Sequence, residues 1–198
     1  MKIKNTLMAL FLITIINAQE KEKEDLPYYQ IPDYPKSYTP GTVVARMIDG
    51  LGFRYYWATE GLRTEDLAYK PSESNRTIEE TLDHLYKLSG VLYNSAVKEI
   101  NDRTQPQDGP LTFIEKRRLT LFNFKKASEI FMTVNDLNEH PVIFKTKSGT
   151  LENPFWNQIN GPIEDAVWHS GQIVVLRRAS GNPIDPKVNV FRGIRNSE

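Results

Sequence analysis

The chain has 198 residues, with 25 acidic and 25 basic side chains and no cysteine. Disulfides and a thioether-linked lipid anchor are thereby excluded, so stability must come from an apolar core and any metal the chain binds. Balanced charge without a basic stripe argues against nucleic acid as the partner.

Residues 1–18 read as a signal peptide. Lys2 and Lys4 precede an apolar run at 7–16, and Ala18 suits the position before cleavage. A run of about ten residues is too short for a bilayer, which needs ~20. Export to the periplasm or beyond, with no stable membrane anchor, is the expectation. The other reading is a retained N-terminal helix. The remaining stretch of about 180 residues matches one domain burying roughly 70% of its unfolded surface. Residues 19–41 form a Pro/Tyr-rich extended segment, in which Pro27, Pro32, Pro35 and Pro40 deny a helix. Its tyrosines suggest that it lies along the domain surface.

Four helices are predicted over residues 42–183. In the first, Val44, Met47, Ile48, Leu51, Tyr55, Ala58 and Leu62 follow the spacing of a buried stripe. The second opens on Thr77-Ile-Glu-Glu80, a capping box, and continues through Leu82, Leu85, Leu88, Val91, Leu92 and Ala96. The third spans about 111–134, with Thr112-x-x-Glu115 as its cap and Leu119, Phe122, Ile130 and Val134 on one side. A small extended hairpin turning at Ser148-Gly149 comes next, then a short helical lead-in at 155–159. Pro162 is expected as the first residue of the last helix, which ends near Ser180 with Gly181 as its left-handed cap. Residues 184–198 read as a tail. The fold expected is all-α, a four-helix bundle.

Asp165 and His169 stand four apart on the last helix, so they share a face. With His84 from a neighbouring helix they make two nitrogens and one oxygen, a donor set for a divalent metal with an open position. Each residue also has a plainer explanation. His84 borders the inward arc of its helix, where a histidine is more often hydrogen-bonded packing. Asp165 falls in a first helical turn, where a carboxylate meets the dipole. The neighbours of His169 suggest a largely buried helix, in which an ionised Asp165 would need a partner. Trp168 and the group Phe53, Tyr55, Tyr56 and Trp57 read as packing, and Gln172 as a residue that could hold a ligand. Arg177 and Arg178 follow the preference for cations in a last turn. His140, in Asn-Glu-His-Pro, is expected to be exposed. Glu80, Asp83 and Glu164 are general-base candidates by position only.

Two stretches carry a family resemblance. The final helix, His169-Ser-Gly-Gln172-Ile-Val-Val-Leu176-Arg177 ending in Gly181-Asn-Pro183, resembles that of the DinB-like helical-bundle metalloproteins. Tyr69-Lys-Pro71 leading into Arg76-Thr-Ile-Glu-Glu-Thr-Leu-Asp-His84 is similar to the family's aromatic-Lys-Pro step and ligand-bearing helix. The resemblance covers about 42–183. It implies a four-helix bundle of DinB-like type and the metal ligands His84, Asp165 and His169, with Asp165 standing where the family usually has histidine. Zinc, nickel, manganese and ferrous iron all suit that set. The function implied is a metal-dependent hydrolase or thiol-transferase-like enzyme acting on a small molecule, with a homodimer by the same resemblance. The alternative is a non-catalytic binding or scaffold protein with a degenerate metal site.

Overall fold

The computed structural model describes residues 26–105 and 109–197. The expected leader at 1–18 and residues 19–25 of the segment after it lie outside the described residues. The described chain is mostly helical with a few small strands. Its helices are α1 (Pro40–Thr59), α2 (Thr64–Leu67), α3 (Ile78–Ala96), α4 (Phe113–Phe131), α5 (Trp156–Gln158) and α6 (Glu164–Ala179). No helix among the described residues is long and apolar enough to cross a membrane.

The long helices start where short polar motifs satisfy their free amides. Thr77 and Glu80 cap α3 reciprocally, and Thr112 and Glu115 do the same for α4. The expected extended segment stops short of residue 41, because Pro40 opens α1 instead of denying a helix: in the first turn its missing N–H costs nothing. Helices α1 and α3 each pack against both α4 and α6, so the four long helices close a ring around one core. Ile48, Leu51, Phe53 and Tyr55 of α1, Leu82 and Leu85 of α3, and Phe124 and Phe131 of α4 are fully enclosed within it. Burial of this kind, at about 25 cal/mol per Å² of apolar surface, is the main driving force for the assembly.

The small strands β1 (Asn101–Asp102), β2 (Val142–Thr146) and β3 (Gly149–Asn153) form one sheet. Strand β2 pairs parallel to β1 and antiparallel to β3, with Thr146 opposite Gly149 across the expected hairpin turn. Residues 184–197 take up structure as well. Strand β4 (Val188–Asn189) pairs antiparallel with β5 (Ile194–Arg195). The N-terminal segment lies along this hairpin, with the Ile31 amide donating to the Gly193 carbonyl at 2.9 Å.

Several expectations need correcting. The buried face of α4 carries Leu121, Phe124, Ala127 and Phe131, whereas Leu119 is exposed. Pro162 does not open the last helix. It sits inside a π-helical turn, Ile159–Ile163, that joins α5 to α6 without a break. A proline removes one intrahelical donor, and a widened turn accommodates that loss. His140 is buried, with Nδ1 donating to the Ser95 carbonyl at 3.0 Å and its ring edge-on to Phe131. Arg177 stands in the last turn of α6 as expected but is buried, with Nε donating to the Asn182 carbonyl just past that helix. Its Nη1 donates to the carbonyls of Trp57, Ala58 and Glu60, covering the C-terminus of α1.

Candidate metal centre

Helices α3 and α6 pack together, and this contact brings distant parts of the sequence into one cluster. His84 lies one to two turns into α3. Asp165 and His169 come from the first two turns of α6, one helical turn apart. Potential ligand atoms of all three residues lie within 4.8 Å of one another, a group that could hold a metal ion.

The carboxylate sits between the two imidazoles. Its Oδ2 is 2.9 Å from His84 Nε2, and its Oδ1 is 3.3 Å from His169 Nε2. The two rings meet edge to face, with centroids 4.7 Å apart. Asp165 keeps 39% of its side-chain surface exposed, His84 31% and His169 15%. The cluster is therefore a partly open site, and α6 is less buried than its apolar neighbours suggest. Only Ala166, Ser170, Ile173 and Arg177 of that helix are enclosed. Nor does Asp165 stand at a free helix start, because the π turn precedes α6 directly.

Gln172 supplies the detail that sequence only hints at. Its Oε1 lies 2.6 Å from His169 Nδ1. A carbonyl oxygen only accepts, so Nδ1 carries the hydrogen. In the neutral ring Nε2 is then a bare lone pair, and it faces a carboxylate oxygen at 3.3 Å. Two acceptors so placed repel one another unless a proton or a cation lies between them. The His84 edge differs: at 2.9 Å its Nε2–H can donate to Asp165 in the ordinary way. His84 must release that proton before it can act as a ligand.

The cluster opens into a cavity of about 830 Å³. Ser74, Asn75 and Arg76, on the loop before α3, line its wall together with Gln172 and Trp168 of α6. Trp168 is 71% exposed at this wall, so its expected packing role is replaced by a surface role. The three expected general-base candidates do not line the cavity. Glu80 accepts from the Thr77 amide at 2.8 Å, and Asp83 pairs with Lys116 Nζ at 2.5 Å. Glu164 is exposed on α6. Arg76 is a member of the cavity wall that sequence reading passes over. The signal for it is its place directly before the Thr77 cap, two turns from His84 on the same helix entry.

A second polar cluster surrounds the far end of α6. Asp66 is enclosed and accepts five hydrogen bonds: three from Arg63, one from Ser180 Oγ at 2.6 Å and one from Asn182 Nδ2 at 2.6 Å. The Arg63 guanidinium and these further donors hold the carboxyl well below its usual range. Asp49 is also enclosed but has the opposite shift. Burial raises it, and the Tyr28 hydroxyl, 3.0 Å away, offsets that only in part. Neither a family model, nor a curated protein, nor a solved structure matches this chain.

Proposed function

We propose that this protein is an exported, metal-dependent enzyme of the DinB-like helical-bundle type, a hydrolase or transferase acting on a small molecule. His84 Nε2, Asp165 and His169 Nε2 are the proposed ligands. The observation that carries the reading is the contact between His169 Nε2 and Asp165 Oδ1 at 3.3 Å, with His169 Nδ1 engaged by Gln172. That pair of facing acceptors is what a ligand set looks like when oriented from behind by an outer hydrogen bond. A divalent ion there would supply Lewis acidity, polarising an ester, amide or phosphoryl group and making water a stronger acid.

The chain's own residues would do the rest. Gln172 fixes the His169 tautomer so that Nε2 points to the ligand position. Asp165 supplies one negative charge, which favours a divalent cation over a monovalent one. The partly open face of Asp165 leaves room for a substrate to approach from the cavity. Zinc, nickel, manganese and ferrous iron are all compatible with two imidazoles and a carboxylate.

A second reading, a non-catalytic binding or scaffold protein, is favoured by the hydrogen bond between His84 and Asp165, which pairs His84 Nε2 with one carboxylate oxygen without an ion. Metal analysis on tag-free protein separates the two. The enzyme reading expects one ion per chain, lost in both Asp165→Ala and His169→Ala. Equal metal content in wild type and both variants would remove its basis.

A further inference from the structure

We infer that the cavity over His84, Asp165 and His169 takes a small molecule carrying a carboxylate, anchored by the Arg76 guanidinium while a second polar group of the same molecule reaches the metal position. This inference rests on the metal-site reading and adds a substrate class to it.

The first support is the charge of the cavity wall. Asp165 is its sole carboxylate, and Arg76 its sole permanent cation, among the described lining residues. With a divalent ion held by the triad, the cavity carries a net positive charge. Such a cavity concentrates anions.

The second support is that Arg76 is uncommitted while the acids around it are taken. Among the described residues it makes no ion pair or hydrogen bond within range. Glu73 pairs with Lys70 at 2.7 Å, Glu80 turns back onto Thr77, and Asp83 goes to Lys116. A guanidinium left free beside such neighbours presents its planar fork to whatever enters the cavity. A carboxylate matches that fork with two parallel hydrogen bonds.

The third support separates a carboxylate from a phosphate. A phosphate dianion is usually met by several donors, often the free amides of a helix start. Here most amides at the entry to α3 are already engaged: Glu80 donates to Thr77 Oγ1, Thr77 to Glu80 Oε2 and Ile78 to the Tyr69 carbonyl. No lysine lines the cavity among the described residues. One fork without a nest of amides suits a single planar anion. The exposed Trp168 indole, which lines the same cavity, offers an apolar face for the carbon chain that joins the two ends.

The test uses the full-length chain loaded with cobalt(II), whose visible absorption reports on its ligands, and three hydroxamates as probes. Butyrohydroxamate is neutral at its tail, succinic monohydroxamate ends in a carboxylate, and 3-phosphonopropionohydroxamate ends in a phosphonate. Metal stoichiometry is measured first, on wild type and on Arg76→Gln, and should be equal. The carboxylate probe should bind wild type about tenfold more tightly than the neutral probe, the order expected for one charge-assisted pair. In Arg76→Gln that preference should vanish, with the affinity for butyrohydroxamate unchanged. Arg76→Lys should restore part of it.

Equal binding of the neutral and carboxylate probes to wild type would overturn the inference while leaving the metal site intact. So would a preference that survives in Arg76→Gln, or tighter binding of the phosphonate probe. Failure of the wild type to take up cobalt at all would overturn the metal reading itself, and this inference with it. Arg76 is exposed, so the variant should melt with the wild type, and the melt identifies any folding failure.

Discussion

The two ends of α6 carry polar clusters built from similar side chains but left in opposite states. At the C-terminal end, Arg177 is 2% exposed and each of its donors is placed on a carbonyl or on Asn182, while Asp66 beside it accepts five hydrogen bonds. At the N-terminal end, Asp165 is more than a third exposed and its Oδ1 lies 3.3 Å from His169 Nε2, a contact that needs a proton or a cation between the two atoms. A closed, satisfied network holds elements together. An open, unsatisfied one is poised to receive something. Burial combined with hydrogen-bond completeness distinguishes the two where residue type alone does not.

The largest effect should come from the closed end. Arg177→Ala takes the guanidinium away from the enclosed carbonyls of Trp57 and Ala58 at the end of α1 and should cost about 3–5 kcal/mol of stability, read as a lowered urea midpoint. A loss below about 1 kcal/mol would mean that water replaces the guanidinium, and the contrast between the ends would weaken. At the open end the pattern should invert. Asp165→Ala and His169→Ala should abolish metal binding while changing metal-free stability by under about 1 kcal/mol, as partly exposed pairs do. Asp165→His should keep an ion but shift the preference toward zinc and nickel, measured by competition between metals. Chelator should lower the melting temperature of the wild type and leave Asp165→Ala unmoved.

A smaller effect tests the outer shell. Gln172→Ala frees His169 to rotate and to change tautomer, and should weaken metal affinity by roughly 10- to 100-fold without a change in melting temperature. The smallest effects concern pH, where Asp66 and Asp49 carry opposite signs. The Asp66 carboxyl is depressed in the fold, so its stabilisation is full above its unfolded value near 3.9 and fades as pH falls below that. Asp66→Asn should therefore flatten the acid limb of the stability curve. The Asp49 carboxyl is raised, so the fold favours its neutral form. That contribution is full below about 3.9 and is lost as pH rises through the elevated folded value. Asp49→Asn should gain on wild type as pH rises from about 4 to about 7 in denaturant melts.

Local rules are the ones that can be read from the chain. Thr77-x-x-Glu80 and Thr112-x-x-Glu115 declare helix starts because their hydrogen bonds span three residues and need no partner element. The positive φ of Gly181, 83°, is likewise implied by a glycine ahead of a proline after a helical run. The buried side of α4 is not legible. Apolar residues fill two offset stripes there, and packing against α1 and α3 decides that Leu121 and Phe124 go inward. His140 and Arg177 escape sequence reading for a related reason, since what encloses them is another element: Ser95 and Phe131 in one case, the end of α1 in the other. For the site, the four-residue spacing of Asp165 and His169 shows a shared face. The orientation imposed by Gln172 and the presence of Arg76 on the wall depend on side-chain directions that spacing does not encode.

The widened turn at Ile159–Ile163 sets the angular phase between two stretches of one continuous helix. A π turn closes its hydrogen bonds one residue further along than an α turn, so it takes up one extra residue without turning the helix that follows. Deleting one residue there should therefore leave Asp165 and His169 facing His84. A residue inserted between Asp165 and His169 has no such turn to absorb it and would set the two about 140° apart around the axis. That insertion should abolish metal uptake, whereas the deletion should spare it.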